Sequence, residues 1–403
     1  MLADVFQTLV LIFSFALVFL RWDFFKKEKV IWLLLLAIIV QLASWLHAQY
    51  YYPNIAQESP RIGRLLELFF FFFIAFWLRG RGGCIWAVLI SFTIGSIFTL
   101  SQNGLFISDF MKGISGYRVD FGYRNAQHGA LIIGASVLIL FACCGRIMND
   151  FPNKKLLLLC FALITPIFLV LLMIMQTRQA ILGLFLSVLA VISYHLIINK
   201  KVTIKNSVAF LFFFLGLIVL GLNLDVVSSR LNSEVFIVTD YLLKGDFESI
   251  PYTSLGVRIN LWIESIHWIK ESPFIGFGNG IEEHLIVEST RLPSFIVDDF
   301  RHVHNSYVAT LLRFGGLGLV ICLILQFYPV FELLKYKRDD NSAKVYSYIA
   351  VMFVTYWFVV NAFESFWYMK AGLWTYTVFM AAIYTIPLAA RYDKYLSSLN
   401  KEG

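Results

Sequence analysis

The chain has 403 residues, of which 59% are apolar and only 15% charged, with a formal net charge of +7 and a mean hydropathy of +0.74. Soluble chains carry ~25% charged residues, so this composition excludes a soluble multidomain enzyme, a disordered chain, a disulfide scaffold and a nucleic-acid binder. It describes an all-α polytopic membrane protein.

A membrane-crossing helix needs about 20 mainly apolar residues. Eleven stretches qualify, at roughly 4–21, 30–47, 65–78, 84–101, 126–145, 156–175, 180–198, 207–224, 305–334, 345–362 and 369–390. Met1 to Leu20 has no basic leader and no small-residue cleavage site, and reads as a retained helix. The run Phe69 to Phe73 reads as packing surface. Cys84, Cys143, Cys144, Cys160 and Cys322 all lie in or beside apolar runs and imply neither a disulfide framework nor a metal cluster.

The connectors alternate in charge. Six of them gather Arg21/Lys26/Lys27/Lys29, Arg79/Arg81, Arg146/Lys154/Lys155, Lys200/Lys201/Lys205, Lys335/Lys337/Arg338/Lys344 and Arg391/Lys394/Lys401. The positive-inside rule places these six in the cytoplasm. The other set, 48–64, 102–125, 176–179, 225–304 and 363–368, is then external, and eleven spans put the N-terminus outside. The chain divides into an N-terminal bundle (1–224), an external loop domain (225–304), C-terminal spans (305–390) and a cytoplasmic tail (391–403).

Within the loop domain, Thr253 or Ser254 can cap a helix with apolar positions Leu255, Ile259, Trp262, Ile263, Ile266 and Ile269, stopped by Glu271-Ser272-Pro273. A glycine-rich turn follows at 274–280, and a second helix is expected over 281–291. The amphipathic face fits a domain lying on the membrane surface and capping the bundle.

The external side presents Arg61, Arg64, Arg118, Arg124, Arg178, Arg258, Arg301 and Arg313, with Lys370 nearby. Guanidinium groups converging on one face suit a ligand with phosphates. Pairing with lipid phosphate or a nearby carboxylate is the ordinary reading of any one of them. Arg178 is different, because Gln176-Thr177-Arg178-Gln179 is a polar island between two apolar helices. Arg258 falls in the first turn of the capped helix, where free amides and the helix dipole favour an anion. The alternative there is pairing with Glu264.

The densest polar cluster is Arg301-His302-Val303-His304-Asn305-Ser306-Tyr307, just before a long apolar helix. Histidine can act as a base near neutral pH. The sequence disfavours metal binding by His302 and His304. No acidic partner is adjacent, and on a helix the two rings point about 200° apart. Gly315, Gly316 and Gly318 read as close-packing positions. No internal repeat supports an inverted-repeat transporter.

At this cluster the sequence resembles the O-antigen ligase and polymerase superfamily. The similarity rests on His304-Asn305-Ser306-Tyr307-Val308 running on to Gly315-Gly316-Leu317-Gly318-Leu319. Three further motifs keep the family order: Thr177-Arg178-Gln179-Ala180, Ser254-Leu255-Gly256-Val257-Arg258 and Ser272-Pro273-Phe274-Ile275-Gly276-Phe277-Gly278. The resemblance spans roughly 120–390 and is stronger to lipopolysaccharide O-antigen ligases. Glu364, Trp367 and Lys370 also resemble a pattern there. Two features depart from the family: it has about twelve spans, and many relatives carry an acid where this chain has Arg313.

The resemblance implies a GT-C-like glycosyltransferase in the bacterial inner membrane, with its large loop and active site in the periplasm. It would transfer a glycan from undecaprenyl pyrophosphate to a lipid A–core sugar hydroxyl, without metal or other cofactor and with inversion. It implies His304 as general base and Arg178 and Arg258 on the pyrophosphate. His302, Asn305, Arg118, Arg124, His128, Arg301, Glu364 and Lys370 are candidate substrate-binding residues. The implied partners are the lipid-linked donor, the lipid A–core acceptor and membrane lipid. An O-antigen polymerase or an oligosaccharyltransferase of the same superfamily would share most of these features. A lipid-linked glycan transporter would instead place charges deep within helices.

Overall fold

The computed structural model describes residues 2–102, 104–150, 154–198, 236–336 and 341–402; the expected span 207–224, with Lys200, Lys201 and Lys205, lies outside them. Among the described residues every regular element is helical. The α-helices are α1 (Leu2–Leu20), α2 (Trp22–Phe25), α3 (Lys29–Tyr51), α4 (Gly63–Leu66), α5 (Phe70–Leu78), α6 (Gly82–Gln102), α7 (Phe106–Ile114), α8 (Ala126–Asp150), α9 (Lys154–Ile174) and α10 (Arg178–Ile198). After the undescribed stretch come α11 (Ser254–Glu271), α12 (Ile281–Val287), α13 (Ser294–Asp299), α14 (Ser306–Lys335), α15 (Asn341–Phe363) and α16 (Lys370–Glu402).

Eight of these, α3, α6, α8, α9, α10, α14, α15 and α16, are long and apolar enough to cross a membrane, and shorter apolar helices cover 7–20 and 67–78. The protein is an all-α polytopic membrane protein, and the boundaries follow the apolar runs closely. Two differences concern the ends. The expected tail 391–403 is helical through Glu402 as a continuation of α16, and α12 stops at Val287 rather than reaching 291.

The phenylalanine run packs between helices. Phe69 to Phe73 are all buried, and Phe70, Phe71 and Phe72 set their rings against Trp374, Tyr376 and Tyr384 of α16. Edge-on aromatic pairs of this kind add about 0.5–1.5 kcal/mol beyond their buried area. At the other end of α16, Arg391 reaches Glu28 at 2.8 Å and Glu332 at 2.9 Å. That pairing joins α16, the α2–α3 turn and the end of α14, on the side the charge rule assigns to the cytoplasm.

The largest departure is in α14, expected as one continuous span. Gly315 has φ 60° and ψ −163° inside it, and the chain folds back there. Phe358 of α15 lies against both Tyr307, at 5.3 Å between ring centroids, and Phe327, at 6.4 Å. A straight helix would hold those two residues about 30 Å apart. The element is therefore a short arm, 306–314, packed against a spanning arm, 316–335.

The glycine-rich turn of the loop domain closes this hairpin. Phe277 and Gly278 donate their amides to the carbonyls of Leu312 and Arg313, and Gly316 and Leu317 donate theirs to Pro273 and Phe274. The turn thus satisfies groups that helix termini leave open. Gly276 (φ 72°) abuts the backbone of 312–315, and Gly315 abuts Phe274 and Ile275, so neither place has room for a Cβ. Ser44 and His47 of α3 hold the turn from the other side through the carbonyls of Ile275 and Gly276.

Arg313 belongs to the same junction. It ion-pairs with Glu282 of α12, stacks 4.0 Å over the Tyr368 ring and approaches Asn279. The loop domain adds small cores of its own around Val257, Leu261, Ile286, Leu292 and Ile296 and around Ile237, Ile250 and Ile259.

Candidate active site

The short arm of α14 begins at a cap. Asn305 accepts the amides of Tyr307 and Val308 through its side-chain oxygen, which commits that group to the helix end. Ser306 donates its hydroxyl to the Asn361 side-chain oxygen at 2.5 Å, with the Glu364 carbonyl 3.0 Å from the same hydroxyl. The end of α15 is thereby fixed against the start of α14. Its next residue, Glu364, has a side chain only 1% exposed.

Glu364 is the centre of the cluster. His302 Nε2 lies 2.9 Å from Oε1, and His304 Nδ1 lies 3.0 Å from Oε2 and 3.2 Å from Oε1. The Ser365 amide donates to Oε1 at 3.0 Å. Both sequence arguments against a shared His302–His304 site are overturned here. Residues 301–305 precede the helix rather than lying on it, so the two rings converge, with centroids 4.0 Å apart. The acid that the local sequence lacks arrives from 60 residues downstream. His304 has φ 51°, a region that side chains rarely adopt and that clusters at functional sites.

A fourth contact joins this centre to the arginines. The Gln127 amide, with its nitrogen turned toward Glu364, donates to Oε2 and accepts Arg258 Nη2 on its own oxygen at 3.0 Å. Amide orientation is assigned from the network, and this one satisfies both groups. Arg258 is the fifth residue of α11, one turn in from the start, and the cap is Thr253 accepting the Gly256 amide at 3.2 Å. Glu264, the alternative partner for Arg258, pairs with Arg291 instead. Trp262 of α11 donates to the Val303 carbonyl at 2.8 Å and ties that helix to the histidine segment.

The Thr-Arg-Gln turn stands beside the same wall. Gln176 adopts φ 51° and donates to the Gly116 carbonyl at 2.8 Å, while Thr177 donates to the Ala126 carbonyl at the start of α8. Arg178 is the first residue of α10 and is half-buried, and the neighbouring Gln179 approaches Gln127. His128 is buried with its ring against Phe366.

Charge follows from this geometry. Burial alone would raise the Glu364 pKa, but the hydrogen bonds and charges of His302 and His304 outweigh it and hold the carboxyl well below the usual carboxylate range. Burial lowers the His304 pKa, with Glu364 pulling it back up and His302 and Arg258 adding to the fall. The two directions agree if neutral His304 donates Nδ1–H to an ionised Glu364. The Nε2 lone pair is then available as a base. Burial also lowers the Arg258 pKa against the opposing charge of Glu364, yet a guanidinium stays charged.

The structure therefore gathers His302, His304, Glu364, Arg258 and His128, with Arg178 on the adjoining turn. Arg124 is exposed at the approach to α8. Arg118 and Lys370 are exposed on neighbouring segments. Arg301 turns away, to Glu283 at 3.1 Å and to the carbonyls of Val297 and Phe300. Gln127 lies between Arg124 and His128, and nothing in its type or spacing marks it in the sequence.

A protein-family model described as O-antigen ligase matches residues 161–323. That stretch holds the Thr-Arg-Gln turn, α11, the glycine-rich turn and the histidine segment. An uncharacterised protein of Haemophilus influenzae is 27% identical over 157 residues, which is 37% of this chain and 36% of that protein. Its printed name assigns no activity. Together with the fold, that match agrees with the resemblance read from the motifs: the chain is a polytopic membrane protein, and its stretch 161–323 is similar to the O-antigen ligase family.

Proposed function

We propose that the protein is a lipopolysaccharide O-antigen ligase of the bacterial inner membrane, moving a glycan from undecaprenyl pyrophosphate to a lipid A–core sugar hydroxyl on the periplasmic side. The observation that carries this reading is the Glu364–His304 pair, with Arg258 joined to the same carboxylate through Gln127.

In this mechanism the acceptor hydroxyl attacks the anomeric carbon as His304 Nε2 takes its proton. The bond from that carbon to the pyrophosphate oxygen breaks, and the attack from the opposite face inverts the centre. Glu364 orients His304 and stabilises the imidazolium that forms. Negative charge develops on the leaving pyrophosphate, where Arg258 and Arg178 supply fixed positive charge. General-base catalysis of this kind contributes about 10²–10⁴ in rate. The apolar bundle accommodates the polyprenyl chain, and the loop domain covers the glycan.

The test is a lipopolysaccharide gel from a strain deleted for the gene and complemented with wild type or His304→Ala. The ligase reading expects bare lipid A–core with polymer still made but unattached, rescued by wild type alone. Core carrying a single repeat unit would move the protein to the polymerase branch. An unchanged gel would remove both readings.

A further inference from the structure

His302 Nε2, His304 Nδ1 and a Glu364 oxygen are three metal-ligating atoms within 4.8 Å of one another. Measured to Oε1 alone, the nitrogen–oxygen separations are 2.9 Å for His302 and 3.2 Å for His304, near the ~3.3 Å edge of a tetrahedral zinc site built on bonds of about 2.0–2.1 Å. The two ring nitrogens lie within 4.8 Å of each other, and side-chain rotation brings them onto a common ion. Two imidazoles and one carboxylate are a donor set suited to Zn²⁺.

Two further features set the trio apart from an ordinary ion pair. The left-handed backbone of His304 is what lets rings at i and i+2 aim at one carboxylate. The Ser365 amide and Gln127 also donate to the two oxygens of Glu364, as hydrogen bonds orient the carboxylates of metal sites. The pair His284–Glu288 has a comparable separation of 2.9 Å on the surface, but it offers two ligands rather than three.

We propose that His302, His304 and Glu364 form a Zn²⁺ site whose occupation is incompatible with base catalysis. The lone pairs facing the metal must be free. Neutral His302 therefore moves its proton from Nε2 to Nδ1, and neutral His304 moves its own from Nδ1 to Nε2. Three coordinate bonds form, no covalent bond to carbon breaks, and no net proton leaves the neutral rings. The shift places a proton on the His304 nitrogen that would otherwise take the acceptor's. Zinc would hold the base in its inactive tautomer, with water in the fourth position. The effect on transfer rests on the reading above, whereas binding does not.

The test uses the full chain in detergent, without a polyhistidine tag, stripped with a chelator and dialysed against Zn²⁺. One bound equivalent is expected, with affinity falling at least tenfold in His302→Ala and in Glu364→Gln and unchanged in His284→Ala. The absence of a tight equivalent, or one that survives in both site variants, overturns the site. If a variant misfolds, Co²⁺ reads the wild type directly. An intense four-coordinate visible band displaced by Zn²⁺ supports the site, and its absence overturns it. Added Zn²⁺ should also slow glycan transfer, and a chelator should restore it. Stoichiometric zinc with transfer unimpaired would keep the metal site and remove the base assignment for His304.

Discussion

His304 Nδ1 lies 3.0 Å from Glu364 Oε2, and the two residues are brought together by the folded-back start of α14 meeting the end of α15. The contact gives the imidazole one defined tautomer and leaves Nε2 for chemistry. Glu364→Gln keeps the shape and removes the charge. We expect it to lower kcat by about 10–10²-fold, less than the 10²–10⁴-fold loss expected of His304→Ala.

The base acts when neutral, and burial pushes the His304 pKa below its ordinary value of about 6.5. The acid limb of kcat should therefore fall below that pH. Glu364 opposes the shift, so Glu364→Gln should move the limb further toward acid. A pH–rate series on both proteins reads this directly, and a limb that moves to higher pH contradicts the pairing.

Gln127 couples Glu364 to Arg258 and should matter without touching the reacting bond. Gln127→Ala should lower transfer by about tenfold, the order of one lost hydrogen bond to a charged group. Gln127→Glu should be worse, because it sets a second carboxylate against Glu364. Equal activity of the two variants would show that the bridge does not operate.

Gly315 has a conformation that is almost confined to glycine and costs other residues about 1–3 kcal/mol. Its missing Cβ is also where Phe274 and Ile275 pass. Gly315→Ala should lower the thermal midpoint or the folded yield, whereas Gly316→Ala has more room and should be milder. Thermal scans of the purified variants compare them.

Arg313 and Glu282 are both largely buried. Removing one partner of a buried pair costs about 3–5 kcal/mol, because the other charge is left uncompensated. Arg313→Ala should destabilise strongly, and the double change with Glu282→Ala should recover part of the loss. Chemical unfolding of the two variants measures the difference.

Much of this fold is visible in residue type alone. Apolar length places the helices, Thr253 marks a helix start, and Ser272-Pro273 marks a stop. The hairpin in α14 is not, because Gly315 and Gly316 interrupt an apolar run that is otherwise continuous. The Gly315 dihedrals and the packing of Phe358 against both arms show that the backbone turns there. The site was legible in its parts, since Arg258, His302, His304 and Glu364 each stood out. Their joining was not, because Glu364 lies 60 residues from His304 and Gln127 carries no charge.

The most direct measurement is transfer by the purified full-length protein, from glycan on undecaprenyl pyrophosphate to lipid A–core, comparing wild type with a well-folded His304→Ala. The account predicts ligated product from wild type and a loss of at least 10²-fold in the variant. Undiminished transfer by His304→Ala, at equal folded concentration, would contradict it.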